Sequence, residues 1–422
     1  MNKRKTVLIA VICSGMILTS CSRENRANEE EIENMRACME SFLQARTIAI
    51  LHDTDLPDSF LALQQNTVST SAVSVIRKAM NVEQDSVQKV RLRYLQWFVG
   101  DMVEASNHGV SWEKLMGFDS YRTFTENRYG LSLEDLRERA EALLDSTGID
   151  FTGMKERLSA DSESNLSRYN RFFPGDSTAS YAQALLRTLT MENAKRPMIT
   201  TDPLIGKTRF TTVDVGNEVD LHVPQRDGLY SYRDAWHGIG EAAYMGNIDE
   251  HALEFKNIVD EVTPKVFGYL FRDLVSSHIW LRQRTQLPVA DLKDIVLHLA
   301  HVRLSEIRLV AQETLSEIKQ VEEGAVGKGQ KPLRSSIKFK SLLIASQLKQ
   351  YLGNSYGQNW FENPEAGRFL RRIASGGSRT LSNEILRRIQ ADSLSEIPLV
   401  EELRQMIVLA AKPFVATKQT HR

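Results

Sequence analysis

Cysteine, proline and glycine are all scarce in this 422-residue sequence, with 3, 11 and 23 copies respectively. Three cysteines cannot form the disulfide framework that stabilises many small secreted domains, so a hydrophobic core has to hold the chain together. Few prolines and glycines leave long uninterrupted stretches, which favours long helices. With 42% apolar residues, a chain of this length can bury a large core.

A surplus of one charge sign is also missing, because 53 Lys and Arg residues face 54 Asp and Glu residues. This balance gives no indication of a nucleic-acid partner. Beyond the first twenty residues, no stretch approaches the roughly 18 apolar residues that a membrane-spanning helix needs.

The first twenty residues have the pattern of an export signal. Three basic residues at positions 3–5 precede the apolar stretch "TVLIAVICSGMI", and "LTSC" ends at Cys21. This resembles a bacterial lipoprotein signal, which implies removal of residues 1–20 and lipidation of Cys21. We therefore expect a tether over residues 21–32, attachment to a membrane of the cell envelope outside the cytoplasm, and a mature net charge of −4.

The remainder, residues 33–422, is predicted to be one mainly helical domain with halves at about 33–205 and 206–422. Segments such as "SVQKVRLRYLQWFVGDMVEAS" and "ADLKDIVLHLAHVRLSEIRLVAQETLSEIKQVEE" place apolar residues three and four apart, as amphipathic helices do. Ser132 stands three residues before Asp135, which is a spacing typical of a helix start.

One stretch, residues 209–228, breaks the helical pattern. Apolar residues alternate with polar ones on both sides of Gly216-Asn217, and Pro224 follows the second run. Alternation around a turn dipeptide predicts a β-hairpin, and hence a small antiparallel sheet.

The stretch "DAWHGIGEAAYMGN" after this hairpin places His237 and Glu241 four residues apart, on one face of a helix. Two ligands at this spacing can point at one metal ion. In the H-E-x-x-H pattern, two histidines bind zinc and the glutamate acts as general base. Here the pattern reads H-G-x-x-E, with Gly238 at the position of the general base.

The context of this motif, "VPQRDGLYSYRDAWHGIGEAAYMGN" followed by "NIVDEVTPKVFGYL", resembles the helical zinc peptidases related to thimet oligopeptidase, oligoendopeptidase and angiotensin-converting enzyme. The resemblance spans roughly residue 40 to the C-terminus. It implies a long-helix fold with a deep channel and an edge sheet, zinc as the cofactor, and Glu261 as third ligand beside His237 and Glu241.

Two catalytic functions depart from that family pattern. Gly238 has no side chain to take a proton from water, and losing a general base typically costs about 10² to 10⁴ in rate. The relatives steady the oxyanion with a tyrosine or histidine on a late helix, and "KPLRSSIKFKSLL" contains neither. The sequence therefore favours a catalytically inactive relative without zinc, although zinc remains the cofactor that the resemblance implies.

The alternative is an active metallopeptidase with unusual ligands, in which Glu261 or, in another alignment, His251 joins His237 and Glu241. Another carboxylate such as Asp234 or Glu250 would then activate water. A structural envelope lipoprotein is a further alternative. His298 and His301, three apart, are interpreted as one face of a packed helix.

For the inactive relative we expect a peptide or protein ligand in the channel. The strand bearing Val219, Leu221 and Val223 would offer backbone hydrogen bonds to an extended peptide. Tyr356 is the aromatic candidate for ligand contact.

Overall fold

A computed structural model describes most of the chain from residue 30 onward. The described residues are 30–37, 39–40, 75–77, 79–81, 83–106, 117–157, 169–192, 199–203, 205–206, 208–216, 218–257, 260–285, 287–324 and 333–411. The predicted signal, Cys21 and Cys38 lie outside these residues.

Helices dominate the described chain, and the fold is mainly α as predicted. Those before the strands are α1 (Ser86–Ser106), α2 (Tyr121–Tyr129), α3 (Leu133–Ser146), α4 (Gly148–Arg157) and α5 (Thr178–Thr188). Those after them are α6 (Leu229–Gly246), α7 (Leu253–Asn257), α8 (Val262–Leu274), α9 (His278–Arg284), α10 (Val289–Glu322), α11 (Arg334–Tyr356), α12 (Pro364–Ser375), α13 (Ser382–Arg388) and α14 (Ile397–Ala411). None of the described helices is both long and apolar enough to cross a membrane.

The predicted helix boundaries agree closely with the observed ones. The quoted segment beginning at Ser86 is α1, and the long segment near residue 290 is α10. The side chain of Ser132 accepts a hydrogen bond from the backbone N–H of Asp135 at 3.2 Å, which confirms the predicted start of α3.

The sheet has three strands rather than the two of the predicted hairpin. Strands β2 (Arg209–Asp214) and β3 (Glu218–Pro224) pair antiparallel as expected, with Gly216 at a φ of 81° in the turn. Strand β1 (Ile199–Asp202) pairs with β3 in parallel, so the order is β1-β3-β2. The predicted antiparallel sheet is therefore mixed. The four residues of β1 are too few for alternation to be recognised, and a parallel partner is never adjacent in sequence.

One large core unites helices from α3 to α14 with the inner face of the sheet. A second, smaller cluster joins the N-terminal helical segments to α1 and α7, with Tyr94 and Phe255 in edge-to-face contact at 6.0 Å between ring centroids. The carboxylate of Glu254 is fully buried there and bonds to Arg36 at 2.6 Å and to Arg91 at 3.2 Å.

The described chain begins inside the range predicted as a tether. Residues 30–32 already belong to a helix that continues to residue 37, and Ile32 is buried in the small cluster. Apolar residues within the charged stretch, Ile32 and Met35, give this segment a face to bury, so it packs on the body rather than extending from it.

Candidate functional site

Helix α6 directly follows the central strand β3 and carries the H-G-x-x-E motif. Its inner face buries Tyr232, Trp236 and Ile239 in the core. The hydroxyl of Tyr232 donates a hydrogen bond to the carbonyl oxygen of Pro174 at 2.8 Å, which fixes the first turns. His237 and Glu241 lie on the opposite, partly exposed face.

His237 and Glu241 contact each other directly. The Nε2 atom of His237 lies 3.4 Å from the Oε1 atom of Glu241, and the side chains are 26% and 29% exposed. Burial alone would raise the pKa of Glu241, but its hydrogen bond with His237, the charge of that ring and the Lys265 ammonium together hold the pKa below its usual range. The carboxylate is therefore charged near neutral pH and already has two protein partners.

Two glycines allow α6 and α8 to pack unusually closely beside this pair. A Cβ atom at Gly240 would lie 2.2 Å from the carbonyl oxygen of Phe267. A Cβ atom at Gly268 would lie 2.6 to 2.9 Å from three ring atoms of His237. The imidazole thus lies over the bare backbone of α8, and position 268 is the point on α8 that faces His237.

Glu261 is not at that point. It precedes α8 and lies seven residues before Gly268, about two helical turns or 10 Å away along the axis. Within the described residues, no group of three or more His, Cys, Asp and Glu side chains is placed to hold a metal ion. The structure brings His237 and Glu241 together without Glu261, and it places His251 exposed in the segment between α6 and α7.

The residues around Glu261 have a local structural role. The Asp260 carboxylate accepts hydrogen bonds from the backbone N–H groups of Val262 and Thr263, and from the Thr263 hydroxyl at 2.7 Å. Asp260 therefore caps the start of α8. The Lys265 ammonium donates to the carbonyl oxygen of Glu261 at 3.3 Å and projects its charge toward Glu241.

The space beside Gly238 is filled by a neighbouring residue. A Cβ atom at Gly238 would lie 2.6 Å from the Cγ2 methyl of Thr208 and 3.2 Å from Cδ1 of Leu221. The Thr208 hydroxyl donates to the Asp234 carboxylate at 2.9 Å, which holds the methyl group in this place. Gly238 is therefore part of a close contact between α6 and the residue before β2.

Tyr269 is a contact that sequence reasoning missed. Its ring lies 4.7 Å from the His237 ring between centroids, and Arg272 covers its face at 4.6 Å. Burial raises its pKa well above the usual range, so the phenol stays protonated. The family pattern directed attention to a tyrosine on a late helix, whereas this one follows Gly268 on α8.

The remaining candidates of the active-enzyme alternative have other partners. Asp234 accepts the hydrogen bond from Thr208, and Glu250 lies beyond the end of α6 with its carboxylate 3.6 Å from Arg379.

His298 is within 2.6 Å of the Tyr230 hydroxyl, and His301 stacks on Phe151.

Tyr356 lies at the end of α11 in an aromatic cluster. Its ring centroid is 6.4 Å from that of Tyr351 and 6.2 Å from that of Phe369. This half-buried position fits a packing role at the junction of α11 and α12.

The expected peptide contact at β3 is wrong. Val219, Leu221 and Val223 are at most 2% exposed, and β3 is paired with β2 on one side and with β1 on the other. Because both of its edges are paired, an added peptide has no place on this strand. The alternation of apolar and polar residues predicted β3 as a strand, but it could not show that β1 pairs with its second edge.

A crystal structure of an M32 carboxypeptidase from Deinococcus radiodurans R1 superposes with a TM-score of 0.50 at 11% sequence identity, covering 90% of this chain and 100% of that one. The chain is similar in fold to this M32 carboxypeptidase. The expected fold is therefore confirmed, and at this identity the likeness concerns the fold alone.

A second structure, described as an oligoendopeptidase F from Bacillus anthracis, aligns with a TM-score of 0.48 at 9% identity, covering 97% of this chain and 78% of that one. No protein-family model and no curated protein sequence matches the chain.

The described residues bring together two candidate zinc ligands, His237 and Glu241. A zinc site needs three protein ligands around an open position, and the ligands must be unprotonated and free to bind. His237 and Glu241 bond to each other, the facing residue on α8 is Gly268, and Lys265 adds a positive charge beside Glu241. This arrangement satisfies the electrostatics of the pair without a metal.

The contact at Gly238 generates a stability prediction. Gly238→Ala should destabilise the protein by about 1 kcal/mol, because overpacking against Thr208 outweighs the gain in helix propensity. In a Thr208→Ser background, which removes the methyl group and keeps the hydroxyl bond to Asp234, Gly238→Ala should be neutral or stabilising. Urea unfolding of the four proteins measures the coupling.

Gly153→Ala is the matched control, since nothing lies within 4 Å of a Cβ atom at that helical glycine. It should stabilise the protein by about 0.5 to 1 kcal/mol. An equal effect of Gly238→Ala in both backgrounds would contradict the packing contact.

Proposed function

We propose that the chain is a lipid-anchored, catalytically inactive protein with the fold of a zinc peptidase, which binds an extended peptide or a segment of a partner protein. The observation that carries the proposal is the replacement of catalytic groups by packing contacts. Thr208 fills the place beside Gly238, and His237 lies on Gly268. These positions are built for a metal-free site.

The free edge of the sheet is the proposed peptide-binding element. Among the described strands, β2 pairs with β3 on one side and with no strand on the other. Thr208 precedes β2 directly and bonds to Asp234, so this edge starts next to the partly exposed face of α6. An extended peptide added to β2 would run past the His237–Glu241 pair.

The lipid anchor is proposed on the signal pattern that ends at Cys21. The N-terminal helix at residues 30–37 packs on the body through Ile32 and Met35. This leaves only residues 22–29 as a link, at most about 30 Å when extended. The body would therefore lie close to the membrane surface.

The first test is zinc content and peptidase activity of the purified protein, beside His237→Ala. We expect far less than one zinc per chain, the same amount in the variant, and no zinc-dependent cleavage of a peptide library. One zinc per chain that is lost in the variant, together with cleavage, would instead establish an active peptidase with unusual ligands.

The second test locates the peptide. Amide hydrogen exchange of residues 209–214 should slow when a bound peptide, selected from a library of extended acetylated decapeptides, is added, because their free backbone groups become paired. Slowing confined to α11 and α12 would contradict the β2 edge, and the absence of any binding peptide would favour a purely structural lipoprotein.

The position of the third ligand gives a further prediction. The double variant Glu241→His with Glu261→Gln should bind zinc as tightly as Glu241→His alone, because Glu261 lies about 10 Å along α8 from the point where that helix meets the His237 ring. Competition with a fluorescent zinc chelator measures both affinities.

Glu241→His with His237→Ala is the control and should lose zinc binding, because it removes one of the two histidines. If Glu261→Gln weakens zinc binding about tenfold or more, then Glu261 is the third ligand and the placement from α8 is wrong.

A further inference from the structure

A cation-rich network of ion pairs lies behind the His237–Glu241 pair and joins five helices. Its members are Arg233 of α6, Arg272 and Asp273 of α8, Arg303 and Glu306 of α10, Lys338 and Lys349 of α11, and Glu402 of α14. Five cations thus share three carboxylates. The network carries two more positive charges than negative ones.

Three of the five cations share the single carboxylate of Glu306. Arg272 occupies both of its oxygens at 2.9 and 3.1 Å, and Lys338 lies 3.1 Å from one of them. Burial would raise the pKa of Glu306, but Arg272, Lys338 and Arg233 together lower it to about 2. This carboxylate is therefore fully ionised and already bonded to two cations before Arg233 approaches.

Arg233 is the cation that the network leaves least satisfied. Its side chain is only 7% exposed, and its one ion pair with Glu306 is 3.8 Å long. Its Nε atom is buried without a hydrogen-bond partner. Burial and then the nearby Arg272 lower its pKa to about 10. A buried guanidinium with so little compensation is costly unless another anion bonds to it.

The geometry indicates where such an anion would come from. Arg233 lies one turn before His237 on the same side of α6, about 6 Å along the axis. His237 and Glu241 are about a quarter exposed, and Lys338 is 35% exposed on the other side of Glu306. These partly exposed side chains are therefore the surface over which an anion would approach Arg233.

We propose that Arg233, with Lys338 beside it, is the anchoring point of a binding site for a carboxylate. The planar fork of a guanidinium matches the two oxygens of a carboxylate, and a single negative charge offsets half of the network's surplus. The same chemistry is offered by a free small carboxylate and by the C-terminus of a peptide. The site does not depend on the peptide-binding proposal, since acetate alone should occupy it.

The test is binding of acetate by isothermal titration at fixed chloride and fixed ionic strength. Acetate should bind the purified protein, and Arg233→Met should weaken binding at least about tenfold, the loss expected for one charge-assisted fork. Arg284→Met is the matched control, because Arg284 is 41% exposed with a single ion pair to Glu362. It should bind acetate as the unchanged protein does.

Two further variants keep the test decisive if Arg233→Met perturbs the fold. Arg233→Lys retains the charge without the fork, and Lys338→Met removes the neighbouring charge, so each should weaken acetate binding by about threefold or more. Circular dichroism checks that each variant is folded. Unchanged binding in all folded Arg233 variants, or no acetate binding by the unchanged protein, would overturn the site.

A pair of tripeptides distinguishes the two sources of carboxylate. If the peptide with a free C-terminus binds more tightly than acetate and its C-terminal amide does not bind, the site receives a peptide end. If acetate binds and neither tripeptide does, the site takes a small carboxylate. Both results support the carboxylate site, and both are independent of whether zinc or cleavage is found.

Discussion

The close packing of α6 against α8 is the constraint on which the rest of the site depends. Gly240 and Gly268 have no side chains, so the two helices can pack closely. A Cβ atom at either position would lie less than 3 Å from an atom of the other helix. The approach fixes His237 against α8 and leaves no side chain at the facing position. A carboxylate there would have to push the imidazole away, so the same packing that stabilises the core also determines which chemistry the helix pair can support.

Electrostatics supports the same conclusion from the other side of the motif. In a metal site, a cation satisfies the histidine and the carboxylate together. In this chain the charge of Glu241 is balanced by His237 and by Lys265 of α8. His237 and Glu241 thus lie at ligand spacing, and the Lys265 ammonium supplies a positive charge that favours the ionised carboxylate. The ion-pair network around Glu306 differs from this pair, because its five cations outnumber its three carboxylates. Its charges are therefore not balanced by protein groups of the network alone.

Much of the fold was predictable from the sequence, because helical periodicity and the turn dipeptide are local signals. Helices α1, α3 and α10, the hairpin and the start of α3 at Ser132 follow from patterns within a few residues. Strand β1 was not predictable in this way, since its pairing depends on a partner more than twenty residues away. The central position of β3, and the loss of its edge, follow from that same pairing.

The site was predictable only in part, for reasons of distance in the chain. His237 and Glu241 face one another because four residues make one turn. The third ligand that the resemblance implies is Glu261, whereas α8 meets the His237 ring at Gly268, and how α8 lies across α6 is not a local property of the sequence. The contact of Thr208 with Gly238 and the sharing of Glu306 among three cations join residues 30 to 73 positions apart, and no local pattern indicates either.

The buried carboxylate of Glu254 has a mechanical consequence. It bonds to Arg36 in the most N-terminal described helix and lies on α7, the short helix between α6 and α8. A pulling force on the chain before residue 30 would enter the body through this bond and the apolar contacts around it. The load would reach the connection between α6 and α8 before it reached the large core. Tension at the N-terminal end, and a ligand bound on the face of α6 that carries His237 and Glu241, would then both act on α6 and α8.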